Sequence, residues 1–148
     1  IDFPHRLIGR ESRTLELTNG HYIAEIASAR TFGFLHEAEV MRQQGLIRGA
    51  SEQNAIVLTR DGLVNPPLRY PDEFVRHKIL DLIGDLALIG RRILANVVAD
   101  RAGHAMHTAL VSRLLRDQAS WEEVTLAEQK DDDVNTLGEP ERPSAPLQ

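Results

Sequence analysis

The sequence contains no cysteine, which excludes disulfide staples, thiolate nucleophiles and cysteine-bound zinc or iron-sulfur centres. Any metal must then be held by histidine and carboxylate, of which there are 6 and 22. No apolar run reaches the roughly 18 to 20 residues that span a bilayer, and no basic stretch with an apolar core opens the chain as a secretory signal would. A soluble domain without a transmembrane segment is therefore expected. An excess of positive charge is missing too. The net charge is -5 and unevenly placed: Trp121 to Gln148 carries eight acidic residues against Lys130 and Arg142, leaving residues 1–120 near neutral. Neither part reads as a nucleic-acid surface. No repeat recurs at a fixed period. The first residue is Ile1 rather than Met, so a piece of a longer polypeptide is expected.

What is present suits one globular domain: 148 residues, 42% hydrophobic and 26% charged, with 10 glycines and 7 prolines, enough to bury a core. Short alternating patterns predict strands at Ile1–Phe3 and Arg13–Leu17, with a turn at Thr18-Asn19-Gly20 leading into a helix over 22–27. Phe34, Leu35, Ala38 and Met41 fall at helical spacing, and Gly45 is placed to cap that helix. Ala55–Leu58 reads as a strand, Arg60-Asp61-Gly62 as a turn and Leu63-Val64 as its hairpin partner. The longest periodic segment runs from Pro71 to about Ile89, where a proline and two acids suit the positive end of a helix and Gly90 ends it. Ile93–Val98 is rich in β-branched residues and reads as a strand, and Gly103 leads into a last helix over 104–116. The mixed order of strands and helices indicates an α/β two-layer sandwich, a sheet packed on helices, over residues 1–118. The acidic stretch 119–148 reads as a disordered tail.

The helix from Asp72 to Asp85 is the most informative stretch. Residues four apart share a helix face, so His77, Asp81 and, drifting by about 40° per step, Asp85 form one polar stripe. Phe74, Ile79, Leu80, Ile83 and Leu86 cover much of the remaining surface, which predicts a buried helix whose polar row is paired, hydrogen-bonded or bound to metal. An imidazole and a carboxylate at i and i+4 can both reach one Zn²⁺. A mutually hydrogen-bonded pair is the plainer alternative, and spacing alone leaves both open. His104 follows Ala102-Gly103, where backbone can approach a ligand closely, and His107 is a candidate second ligand on the same helix face.

Taken in order, Ala29-Arg-Thr-Phe-Gly-Phe34, Asn54-Ala-Ile-Val57, Asp72-Glu-Phe-Val-Arg-His-Lys78 with Asp81 and Gly84-Asp85, and Ala102-Gly-His-Ala105 closely resemble the C-terminal domain of the UDP-3-O-acyl-N-acetylglucosamine deacetylases. These are zinc amidases of lipid A synthesis in Gram-negative bacteria. The resemblance implies that His77 and Asp81 bind catalytic Zn²⁺, that His104 acts protonated toward the oxyanion and the leaving amine, and that Asp85 pairs with His104. It implies a Thr31 hydroxyl near the reacting carbonyl oxygen, Phe32 packed against uridine, Lys78 as a contact for the polar head, and Arg101 near the diphosphate. A small βαβ insertion over 45–64 is implied as a passage for the acyl chain, lined by Leu35, Ala38, Ile47, Ala50 and Val57. Ordinary core is an equally good reading of those five residues. A cytoplasmic location and a UDP-linked acylated amino sugar as substrate follow from the same resemblance.

The departures are informative. Where the family usually shows Lys-Ser-Gly-His-Ala-Leu-Asn, this chain has Arg101-Ala-Gly-His-Ala-Met-His107. The family's third zinc ligand and its glutamate base lie in an N-terminal domain that nothing in this chain matches, so the chain alone is expected to bind zinc weakly and not to turn over. A degenerate, non-catalytic domain that binds a nucleotide-sugar or a protein is the alternative.

Overall fold

The computed structural model describes residues 1–64 and 67–125. Two short strands, β1 (Asp2–Phe3) and β2 (Gly9–Arg10), form an antiparallel pair with Asp2 opposite Arg10. The His5 carbonyl accepts from Ile8 N and Gly9 N and turns the chain back so early that β2, and not Arg13–Leu17, partners β1. The expected strand at Arg13–Leu17 is irregular backbone. Its Arg13 is bound instead to Glu25 and, at 2.8 Å, to Asp72. The Thr18 hydroxyl accepts from His21 N and starts a single turn, α1 (Asn19–His21), which widens into a π-helical turn over Tyr22–Ile26.

A parallel βαβ unit follows. Strand β3 (Thr31–Phe34) leads directly into α2 (Leu35–Gln43), and β4 (Ala55–Leu58) returns beside β3 with Thr31 opposite Ala55 and Phe34 opposite Leu58. The unit therefore spans 31–58 rather than the expected 45–64, because its first strand and helix lie upstream of Gly45. That glycine, at φ +75°, ends α2 in the left-handed conformation that costs a residue without Cβ least. After the turn at Asp61-Gly62, Leu63 makes an isolated antiparallel bridge with Leu58.

Period-2 alternation sends Ile56 and Leu58 into the core, where they meet Phe74, Ile8 and the half-buried Phe3, Phe32, Phe34 and Leu63. The Phe32 ring takes the edges of Phe3 and Phe74 at centroid separations of 5.4 and 5.1 Å. Phe74 belongs to α3 (Glu73–Leu86), which packs against β3 and continues as a 3-10 turn over Ala87–Ile89 to Gly90 at φ +74°. The last helix, α4 (His104–Arg116), packs along α3.

Only the first turn of α3, Glu73 to Arg76, is buried; Ile79, Leu80, Ile83 and Leu86 are half-buried. The expected all-round burial of this helix is thus corrected. Two of its four buried residues are charged, and each is paired. Glu73 accepts from Arg30 Nε at 2.9 Å, while Arg76 donates to Asp72 at 2.6 Å and lies over the Tyr70 ring. The expected strand at Ile93–Val98 is also corrected: the segment is irregular and exposed, because β-branched residues make a strand only where a partner supplies the ladder. Gln118–Ser120 forms a 3-10 turn, and Trp121 Nε1 donates to Leu114 O at 2.8 Å. Of the acidic stretch 119–148, residues 126–148 lie outside the described residues.

Candidate active site

Helix α3 carries the site. Beyond its buried first turn, His77, Asp81 and Asp85 follow one another at four-residue spacing, with side chains 13%, 13% and 16% exposed. That degree of shielding removes most bulk water while leaving a route for a ligand. The His77 Nδ1 lies 3.3 Å from the Ala29 carbonyl, just before β3. A carbonyl only accepts, so Nδ1 carries the hydrogen, and Nε2 lies on the other side of the ring. There it meets Asp81 Oδ1 at 3.2 Å.

Asp81 divides its oxygens. Oδ1 faces His77, and Oδ2 accepts from Lys78 Nζ at 2.8 Å. Burial raises the Asp81 carboxyl, but hydrogen bonds from His77 and Lys78 and their charges outweigh it and hold the group well below the usual carboxylate range. Asp81 is thus ionised at neutral pH, as a metal ligand must be. Asp85 Oδ2 accepts from His104 Nδ1 at 2.7 Å and from His107 Nδ1 at 2.8 Å. Burial again raises this carboxyl, and the two imidazole bonds more than offset it, so it too is lowered.

His104 opens α4 directly after the extended Gly103. Its Nε2 is 3.9 Å from Asp81 Oδ2, so one imidazole spans both carboxylates. With 65% of its side chain exposed, it faces outward from the pair that holds it. Four of the expected residues, His77, Asp81, Asp85 and His104, are therefore contiguous.

The others stand around them. Thr31 is the exposed first residue of β3. Phe32 is half-buried in the core, with His77 at its edge and Lys78 Nζ 5.6 Å over its ring. Lys78 and Arg101 line one cleft of about 80 Å³ together with Phe3 and Ala102, and Arg101 takes φ +49°. A wider groove of about 560 Å³ is lined by Tyr22, Ile83 and Arg92 among others and includes none of the clustered His and Asp residues. Leu35, Ala38, Ile47, Ala50 and Val57 are all half-buried along the βαβ unit.

Sequence reasoning names His107 only as a candidate ligand and does not single out His5. His107 shares Asp85 with His104; the Gly-His-x-x-His spacing signals it, yet reads equally as a ligand pair. The three ligand atoms of Asp85, His104 and His107 lie within 4.8 Å of one another, so this trio is a second candidate cation cluster. His5 is buried and satisfied structurally, its Nε2 donating to Thr59 O at 2.9 Å. No described helix is long and apolar enough to cross a membrane.

Comparison with known proteins adds the family. The LpxC model, UDP-3-O-acyl N-acetylglycosamine deacetylase, matches residues 1–116. A UDP-3-O-acyl-N-acetylglucosamine deacetylase of Solibacter usitatus (strain Ellin6076) is 54% identical over 119 residues, covering 80% of this chain and 40% of that protein. The chain thus spans less than half the length of that curated relative.

Proposed function

Given that the chain belongs to the UDP-3-O-acyl N-acetylglycosamine deacetylase family, we propose that the polypeptide carrying it hydrolyses the N-acetyl group of a UDP-linked 3-O-acylated N-acetylglucosamine in lipid A synthesis, using Zn²⁺. One juxtaposition supports this reading: His77 Nε2 and Asp81 Oδ1 stand 3.2 Å apart, with His104 Nε2 at 3.9 Å from the same carboxylate. Ligand atoms about 2.0 to 2.2 Å from one tetrahedral Zn²⁺ sit roughly 3.3 Å apart, so the donor set fits the ion. The Ala29 carbonyl on Nδ1 is the outer partner that a metal-binding imidazole uses to fix its ring.

When bound, Zn²⁺ supplies Lewis acidity toward the acetamide carbonyl and acidifies water. His77 and Asp81 hold it, and Lys78 neutralises the second Asp81 oxygen. Asp85 orients His104 through Nδ1, leaving Nε2 to stabilise the oxyanion and to protonate the departing nitrogen. Thr31 adds a hydroxyl at the same oxyanion. Lys78 and Arg101, sharing one cleft, take the diphosphate side with Phe32 toward the uridine. Leu35, Ala50 and Val57, with Ala38 and Ile47, face the acyl chain. Acetate and the UDP-linked 3-O-acyl-glucosamine leave.

The third zinc ligand and the general base are assigned to an N-terminal domain outside these residues, so this chain alone is inactive. The same reading extends the fold to a two-layer sandwich ending near residue 118; the packing of α3 on β3 supports it. The test is zinc content and turnover of the intact polypeptide. His77→Ala and Asp81→Ala should each lose both, and retention of both would refute the assignment. A parent without zinc or turnover would leave a non-catalytic binding domain.

A further inference from the structure

Two imidazoles hold the Asp85 carboxylate, and they differ in surroundings. Both donate from Nδ1 to Oδ2, at 2.7 Å from His104 and 2.8 Å from His107. A carboxylate only accepts, so both Nδ1 atoms carry hydrogen. The His104 side chain is 65% exposed, whereas that of His107 is 4% exposed. His107 lies one turn after His104 on α4, on the face that packs along α3, and the two rings meet edge-on at 6.3 Å.

An exposed pair is a weak constraint, because water competes for both partners and side-chain entropy opposes the bond. The Asp85–His104 contact is such a pair on its imidazole side alone, 65% exposed against 16% for Asp85. The enclosed His107 bond is not, since neither its ring nor its N–H has an alternative partner in water. The anchoring therefore runs from His107 to Asp85 and from Asp85 to His104.

We propose that His107 is a positioning residue: its buried Nδ1–H fixes the Asp85 carboxylate so that it holds the His104 ring with Nδ1–H on that carboxylate and Nε2 directed to the reacting groups. This rests on the reading of Asp85 and His104 as the proton-donating pair, and concerns a residue that touches neither substrate nor metal.

The experiment uses the intact polypeptide with ¹⁵N-labelled histidine. Long-range ¹H–¹⁵N spectra report the His104 tautomer, and steady-state kinetics with the acylated UDP-sugar report kcat and KM. His107→Leu removes the donor but keeps an apolar body. His107→Asn returns an N–H at the position of Nδ1, both being attached to Cγ. The Leu variant should lower kcat by about 10- to 100-fold with KM little changed, and His104 should lose its fixed Nδ1–H tautomer. The Asn variant should restore both. An unchanged tautomer and kcat in the Leu variant overturns the inference, as does a folded Asn variant no better than Leu. Should the Leu variant not fold, the Asn variant decides alone: retention of tautomer and kcat supports the inference and their loss overturns it. A parent that turns over nothing, yet whose His104 tautomer responds to His107, supports the positioning and overturns the deacetylase reading.

Discussion

Glu73 is fully buried, and its two oxygens accept from Arg30 N, Nε and Nη2 and from Arg69 N. Removing one partner of such a pair leaves a buried charge unmatched, so Glu73→Ala should destabilise by about 3 to 5 kcal/mol in urea unfolding. Burial alone would raise this carboxyl, but the bonds from Arg30 and Arg69 outweigh it and place the folded value below the ordinary 4.5. A depressed folded pKa stabilises above the unfolded value and is lost as pH falls through the folded one. The stability gap between parent and Glu73→Gln should therefore be full at neutral pH and narrow as pH falls below about 4.5. A gap that stays constant to the acid limit would contradict this. At this scale the polar stripe of α3 was legible in the sequence, because i to i+4 adjacency is set by the helix itself. The Arg30–Glu73 pair was not: 43 residues separate its members, and Glu73 reads equally well as a solvated acid at a helix start.

The helices were legible for the same local reason. The apolar spacing in α2, α3 and α4 and the glycines after the first two place them to within two or three residues. The strand Ala55–Leu58 was found as well, since a continuous apolar run suits a core strand. Arg13–Leu17 and Ile93–Val98 misled, because alternation and β-branching say that a segment can pair and not what it pairs with. Gly84 and Gly90 make a paired test of element-level reasoning. Gly90 sits at φ +74°, whereas a Cβ added at Gly84, inside α3, meets nothing within 4 Å. Gly90→Ala should cost about 1 to 2 kcal/mol, and Gly84→Ala should add about 0.5 to 1 kcal/mol. Thermal unfolding midpoints moving in opposite directions would bear this out; a gain at Gly90 would contradict the left-handed cap.

For the whole molecule, the core binds the βαβ unit to the start of α3, and the site hangs from the half of α3 beyond that core. The core and the clustered His and Asp residues thus share one element but not one set of residues, so Phe74→Ala should cost about 3 to 5 kcal/mol of stability without altering His77 and Asp81. On the proposed assignment of a third ligand outside these residues, zinc affinity should be weaker in this chain alone than in the intact polypeptide. The central question is which cluster holds the ion. Anomalous diffraction at the zinc edge, on crystals of the intact polypeptide, answers that directly. The account expects one peak about 2.0 to 2.2 Å from both His77 Nε2 and an Asp81 oxygen. A peak among Asp85, His104 and His107, with none beside His77, would contradict it.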